Sequence, residues 1–101
     1  MSIEQENQLN IELTDEVSGG IYSNLAIISH SETEFVVDFI QVMPGVPKAK
    51  VKSRIILNPQ HAKRLLLALK DNIDKYESTF GQISVNQNIP NKIPFNPKGQ
   101  A

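Results

Sequence analysis

Two histidines and several carboxylates are the residues of this chain that could hold a metal ion. His30, Glu32 and Glu34 share one parity around a polar turn, and His61 is the second histidine. Imidazole nitrogen and carboxylate oxygen are ligands that a divalent ion accepts. Such residues in a turn between strands are usually just solvated, and a protein metal site needs three or four converging ligands. We therefore expect no metal site.

The spacing of the other polar residues does not favour catalysis. No Gly-x-Ser-x-Gly segment is present, the turn that exposes a serine nucleophile in many hydrolases. Glu34 and Asp38 lie four positions apart on a predicted strand, about 13 Å by strand rise, and exposed strand charges are the simpler interpretation. Gly19-Gly20 lacks the Lys-Ser or Lys-Thr of a phosphate-binding loop. We expect no enzymatic activity and no cofactor.

Positive charge is concentrated in one part of the chain. Seven of the ten Lys and Arg residues lie between positions 48 and 70, whereas the first 47 residues hold none of them and carry eight of the eleven acids. Within a net charge of only −1, this segregation indicates a binding surface. The candidate partner-binding residues are Lys48, Lys50, Lys52, Arg54, His61, Lys63, Arg64 and Lys70.

Several partners compete for this basic surface. It could bind the nucleic-acid backbone, an acidic protein surface, or the protein's own acidic half within one chain or across a homodimer. Alternatively, its lysines only protect an edge strand from aggregation. Nucleic acid is disfavoured because the basic surface lacks interleaved exposed aromatic residues and the pI of the chain is near 6.1. The chain also has no helix-turn-helix or RNA-recognition signature. We rank a protein-interaction module first, nucleic-acid binding second and a holdase-like chaperone third.

Apolar and polar residues alternate in a way that predicts four strands followed by a helix. The strands are predicted at 9–13, 21–29, 34–43 and 48–57. In the fourth strand, Lys48, Lys50, Lys52 and Arg54 share one face. The fold class is therefore α+β, a four-stranded antiparallel sheet with one long helix packed on one face (β-β-β-β-α).

The helix is predicted over 59–80. Asn58 is a good N-cap, Pro59 suits the first helical position, and Gly81 is a natural stop. An apolar stripe expected to lie on the sheet consists of Ala62, Leu65, Leu66, Leu69, Ile73, Tyr76 and Phe80. One helix covers one face only, so a homodimer is expected to cover the other. The candidate subunit interface is Tyr22, Ile28, Val36, Ile40, Val42 and Leu67.

The 101 residues suggest one α+β domain over 9–81, between a disordered N-terminus at 1–8 and a flexible or extended tail at 82–101. The absence of cysteine excludes a disulfide framework and a Cys-ligated zinc site, and fits a reducing compartment. No apolar run approaches the roughly 18–20 residues that span a bilayer. We expect a cytoplasmic protein without membrane association.

A set of short motifs carries a resemblance to a known family. The motifs are Tyr22-Ser23-Asn24, Glu34-Phe35-Val36-Val37-Asp38-Phe39, Pro44-Gly45, Lys52-Ser53-Arg54 and Pro59-Gln60-His61-Ala62-Lys63-Arg64-Leu65. From about Asn10 to Ile83 the chain resembles a family of short bacterial proteins catalogued only as a domain of unknown function.

The resemblance implies a one-domain, cytoplasmic bacterial protein and brings no catalytic residues. It also implies that genes of this kind often lie beside the genes for large RNA polymerase subunits in one bacterial phylum, which makes the transcription machinery a candidate partner. The order of elements is similar to the core of SecB-type export chaperones, a likeness of fold that does not establish function.

Overall fold

The computed structural model of the protein describes residues 9–85. Its elements are α1 (Asp15–Ser18), β1 (Leu25–His30), β2 (Phe35–Gln41), β3 (Lys50–Leu57) and α2 (Pro59–Phe80). The strands form one antiparallel sheet in the order β1-β2-β3. The fold is α+β as expected, but the sheet has three strands and not four. The segment 1–8 and residues 86–101 of the expected tail lie outside the described residues.

The expected first strand is the one that does not form. Leu9, Ile11 and Leu13 keep their alternation, yet residues 9–13 have no regular structure and are exposed. A strand needs a neighbouring edge for its backbone hydrogen bonds, and residues 9–13 pair with no strand of the described sheet. The connection to β1 follows, and it contains the single helical turn α1.

Two side chains just before β1 form hydrogen bonds that join its start to the end of β2. The Ser23 hydroxyl donates to the carbonyl oxygens of Leu25 and Ile40, at 3.0 Å each. Asn24 forms a two-way pair with Val42: its amide nitrogen donates to the Val42 carbonyl at 3.0 Å, and its Oδ1 accepts from the Val42 N–H at 2.8 Å. The Asn24 side chain thus donates to and accepts from the Val42 backbone, as the backbone of a paired strand residue would.

The two faces of the sheet follow from the register. Cross-strand partners share a face, which defines the Phe39 face as Ala26, Ile28, His30, Phe35, Val37, Phe39, Ser53, Ile55 and Leu57. The opposite side, the Asp38 face, holds Leu25, Ile27, Ser29, Val36, Asp38, Ile40, Val51, Arg54 and Ile56. The buried residues Val37, Asp38 and Ile40 all belong to β2, because it alone has a neighbour on each side.

A bulge interrupts β3. Phe39 pairs with Ser53 while the next residue, Ile40, pairs with Val51, so Lys52 is an extra residue without a partner on β2. An extra residue shifts the parity of the strand before it relative to the strand after it.

Local sequence signals place α2 as predicted. The Asn58 side chain accepts a hydrogen bond from the His61 N–H at 2.7 Å, and Pro59 occupies the first turn. Gly81 ends the helix with φ of 102°, a conformation that disfavours residues with a Cβ. Two exposed i,i+4 ion pairs lie along the helix, Lys70–Asp74 and Asp71–Lys75, each with an N–O distance of 3.0 Å.

The expected packing of α2 on the sheet is wrong for the described chain. The extended contacts between elements are those of β1 with β2 and of β2 with β3. No residue of α2 is buried, and Leu66 and Leu69 are 57% and 54% exposed. Only Asn58 separates β3 from α2, and the helix leaves the sheet rather than folding back over it.

The candidate subunit-interface residues do not share one face. Ile28 lies on the Phe39 face, whereas Val36 and Ile40 lie on the Asp38 face. Ile40 is moreover buried within the single chain, at 6% exposure. Tyr22, Val42 and Leu67 are exposed and lie outside the paired strands. The register therefore corrects the expectation of one continuous apolar face made by these residues.

Candidate functional site: a divided basic surface

The basic residues of β3 lie on an edge of the sheet. Lys48 precedes the strand, Lys50 begins it and Lys52 occupies the bulge, and all three are exposed. We call these residues the strand cluster. Because β3 pairs only with β2 among the described residues, its outer edge is open, and the lysines border a row of backbone donors and acceptors.

Arg54 does not belong with the strand cluster, contrary to the expectation of four cations on one face. The register pairs Arg54 with Asp38 on the Asp38 face, while Lys50 pairs with Gln41, which has the parity of Phe39. The bulge at Lys52 causes this separation, since one inserted residue reverses the alternation. The basic strand therefore displays positive charge on two sides.

Arg54 instead neutralises a buried carboxylate. Its Nε and Nη2 donate to the two oxygens of Asp38 at 2.6 and 2.8 Å, and Asp38 is only 2% exposed. These hydrogen bonds lower the pKa of Asp38 against the opposing effect of desolvation, and the charge of Arg54 lowers it further. The same pair raises the pKa of Arg54. Asp38 is thus no exposed strand charge, and the pair is a structural link between β2 and β3.

The remaining candidates form a second group on α2. His61, Lys63 and Arg64 are exposed in its first turns, and we call them the helix cluster. Lys50 lies at the opposite end of β3 from α2, about 23 Å from Leu57 at the rise of a strand. The continuous patch expected from the sequence is therefore divided in two. Farther along α2, Lys70 is bound to Asp74, whose hydrogen bond and charge raise the pKa of the lysine.

The histidines and acids do not assemble a metal site within residues 9–85. No group of three or more potential ligands comes together there. His30 lies at the end of β1, where its ring stacks on Phe35 with centroids 5.4 Å apart. The other histidine, His61, lies in the first turn of α2.

An open cleft of about 360 Å³ separates the segment around α1 from the Phe39 face. Its lining is mostly apolar and consists of Glu16, Val17, Gly20, Ile21, Ser23, Phe39, Ser53 and Ile55. Glu16 is the only ionisable residue in that lining. The Ser23 hydroxyl already donates to two carbonyl oxygens, and no histidine lines the cleft to activate a serine. The cleft therefore lacks the paired groups of nucleophilic catalysis.

The described residues form a small α+β unit with exposed charged and apolar surfaces. Residues 1–85 match the model of the family described as Protein of unknown function (DUF3467). The chain belongs to this family, as its motifs indicated. No curated protein and no solved structure matches the chain. Within the described residues, no helix combines the length and the hydropathy needed to cross a membrane.

Sequence reasoning missed three features of this surface: the bulge, the Asp38–Arg54 pair and the Asn24–Val42 pair. A signal for the ion pair was present, because an acid in one predicted strand and an arginine in the next could face each other in an antiparallel pair. The bulge had no comparable signal, since Lys52 continues the alternation that it interrupts.

Proposed function

We propose that the protein is a non-enzymatic interaction module of the bacterial cytoplasm that docks on an acidic surface of another protein. The observation that carries the proposal is the strand cluster: three exposed lysines, with no acid between them in sequence, on an open sheet edge. An edge strand offers backbone hydrogen bonds, and its lysines select a partner of negative charge. The helix cluster is a second contact for a partner large enough to reach both groups.

The transcription machinery is the partner proposed for this surface. The proposal is supported by the family's implied gene neighbourhood beside large RNA polymerase subunits. Nucleic-acid backbone binding is the alternative, since the same lysines could neutralise phosphates. The two differ in their response to salt. Duplex DNA gives a linear fall of log affinity with log salt of about −0.9 per phosphate neutralised, whereas an acidic protein surface responds mainly through its association rate.

The test is binding of the full chain to purified bacterial RNA polymerase and to duplex DNA, with Lys48→Glu, Lys50→Glu and Lys52→Glu combined. We expect the charge-reversed protein to lose polymerase binding while its circular dichroism and unfolding midpoint stay unchanged. Arg54 is left out because its reversal would place a second carboxylate against buried Asp38.

The matched control replaces the same three lysines by arginine, which keeps the charge and should keep the binding. Equal polymerase binding by the wild-type and charge-reversed proteins would leave the lysines as protection of an edge strand only. Binding to DNA alone, with the steep salt dependence, would favour the nucleic-acid alternative.

A further inference from the structure

The helix α2 carries an apolar stripe that no other described element covers. Ile73 is 38% and Phe80 72% exposed, and the leucines between positions 65 and 69 are all more than two-fifths exposed. A contiguous apolar surface of this kind marks an interaction site, because water is expelled when it is covered.

The spacing within the stripe matches pairing with another helix. Steps of four and three residues alternate along Ala62, Leu66, Leu69, Ile73, Tyr76 and Phe80. Each pair of consecutive steps therefore spans seven residues, which is the heptad spacing of two helices wound around each other. The seam runs over about 27 Å at the rise of an α-helix, which is nearly the whole length of α2.

The charges of α2 indicate which helix the partner provides. The N-terminal part of α2, residues 59–70, carries Lys63, Arg64 and Lys70 and no acid, whereas residues 71–80 carry Asp71, Asp74 and Glu77 with one lysine, Lys75. A second α2 in antiparallel orientation brings the basic half of each copy beside the acidic half of the other. A parallel pair would bring like charges together and align the two helix dipoles.

The antiparallel arrangement also matches the sizes of the seam residues. Leu69 then packs against Ile73 of the second copy, and Leu66 against Tyr76 of the second copy. The smallest residue, Ala62, lies opposite the largest, Phe80 of the second copy, which fills the space between the helices evenly. The parallel arrangement would instead put Phe80 against Phe80 and leave a gap between the two alanines.

The residues beside the seam are compatible with the same arrangement. Lys63 faces Glu77 of the second copy, twice in each pair by symmetry. Lys70 approaches Lys70 of the second copy, and its charge is already compensated by Asp74 at 3.0 Å. Asn72 lies next to Asn72 of the second copy on the other side of the seam.

We infer that two copies of this chain associate through α2 as an antiparallel helix pair. The inference goes beyond the docking of an acidic partner, because it uses the apolar stripe of α2 rather than the strand cluster. Such pairing also covers the apolar stripe that α2 does not bury against its own sheet. Because each sheet is joined to the N-terminal end of its own α2, the antiparallel pairing puts the two sheets at opposite ends of the helix pair and presents two strand clusters in one assembly.

The inference is tested on the full chain by light scattering at micromolar concentration and by oxidative cross-linking. We expect a species of twice the 11.3 kDa chain mass, converted to monomer by Leu69→Lys. The control Leu67→Lys makes the same change off the seam and should leave the pair intact. Because the protein contains no cysteine, Asn72→Cys gives a clean probe, and it should form a disulfide-linked dimer whereas Leu67→Cys should not.

Charge exchange tests the orientation. Lys63→Glu should weaken pairing about tenfold, since two exposed ion pairs become repulsions, and adding Glu77→Lys should restore it. A wild-type monomer at micromolar concentration would overturn the inference, and so would a dimer that survives Leu69→Lys. A monomer that captures unfolded protein through α2 would favour the holdase alternative instead. Neither result depends on the strand cluster, so this inference and the proposed function can fail separately.

Discussion

The central strand and the long helix are both rich in apolar residues, but they bury them very differently. β2 holds the buried residues Val37, Asp38 and Ile40, whereas α2 holds none. A strand obtains its backbone hydrogen bonds only from neighbours, so the contacts that form it also bury its side chains. A helix satisfies its backbone internally and can form with its apolar side still exposed. The formation of α2 therefore does not imply that its apolar side chains are buried.

The first test of the difference between β2 and α2 is to replace Arg54, the partner of buried Asp38. Arg54→Leu leaves the carboxylate of Asp38 buried without its two hydrogen bonds, and desolvation then acts alone. We expect the largest loss of stability among these variants, measured as the shift of the denaturant midpoint. Asp38→Asn is the informative companion, since it leaves a half-exposed arginine that water can solvate. A larger loss for Asp38→Asn than for Arg54→Leu would contradict this account.

The second test compares truncations in the two elements. Ile40→Ala removes buried methyl groups from β2 and should cost about 2–5 kcal/mol in the free energy of unfolding. Leu67→Ala, which changes an exposed side chain outside the α2 stripe, should stay within about 0.5 kcal/mol. Chemical denaturation of both variants at one protein concentration provides the measurement. Equal losses would show that α2 is buried after all.

The third test concerns the start of α2. Asn58→Ala removes the acceptor that binds the His61 N–H and should cost about 1 kcal/mol, whereas Asn58→Ser keeps an acceptor and should be nearly neutral. Thermal unfolding followed by circular dichroism distinguishes the two. If Asn58→Ala is neutral as well, the helix start is held by other contacts than this cap.

The smallest effect is expected in the response to acid. The pKa of Asp38 is lower in the folded protein than its unfolded value near 3.9. The stability that this difference provides is therefore complete above about pH 4 and is lost as the pH falls through the folded pKa. The effect is modest because desolvation opposes the hydrogen bonds of Arg54. Asp38→Asn should lack this part of the acid dependence, and an unchanged acid limb in that variant would assign it to other carboxyl groups.

The sequence-based predictions were accurate where neighbouring residues determine the structure and failed where the pairing of distant segments determines it. The limits of α2 were correct because Asn58, Pro59 and Gly81 act locally. β2 and β3 were found by alternation, with boundaries shifted by one or two residues. The strand at 9–13 was wrong because an alternating pattern does not show whether a segment pairs with the edge of a sheet. The prediction of a single basic face was wrong because the bulge at Lys52 reverses the alternation of β3. A bulge depends on how two strands pair, which the pattern of one strand does not show.

The motifs that revealed the family have mainly structural roles in this chain. Ser23 and Asn24 join β1 to β2, Asp38 and Arg54 join β2 to β3, and Pro59 begins α2. These motif residues therefore mark contacts that join the strands and begin the helix. The strand cluster depends on exposed lysines, whose meaning depends on a partner and not on the chain's own contacts.

The side-chain pair of Asn24 with Val42 has a kinetic consequence for the end of the sheet. Val42 lies one residue beyond β2 and is exposed, so its amide hydrogen would ordinarily be among the fastest of the protein to exchange with solvent. The 2.8 Å hydrogen bond to Asn24 Oδ1 requires that this end of the sheet open before exchange occurs. Slow exchange should therefore extend past the last residue of β2 and stop at Met43. The boundary of the cooperative unit in this protein is then set by an asparagine side chain.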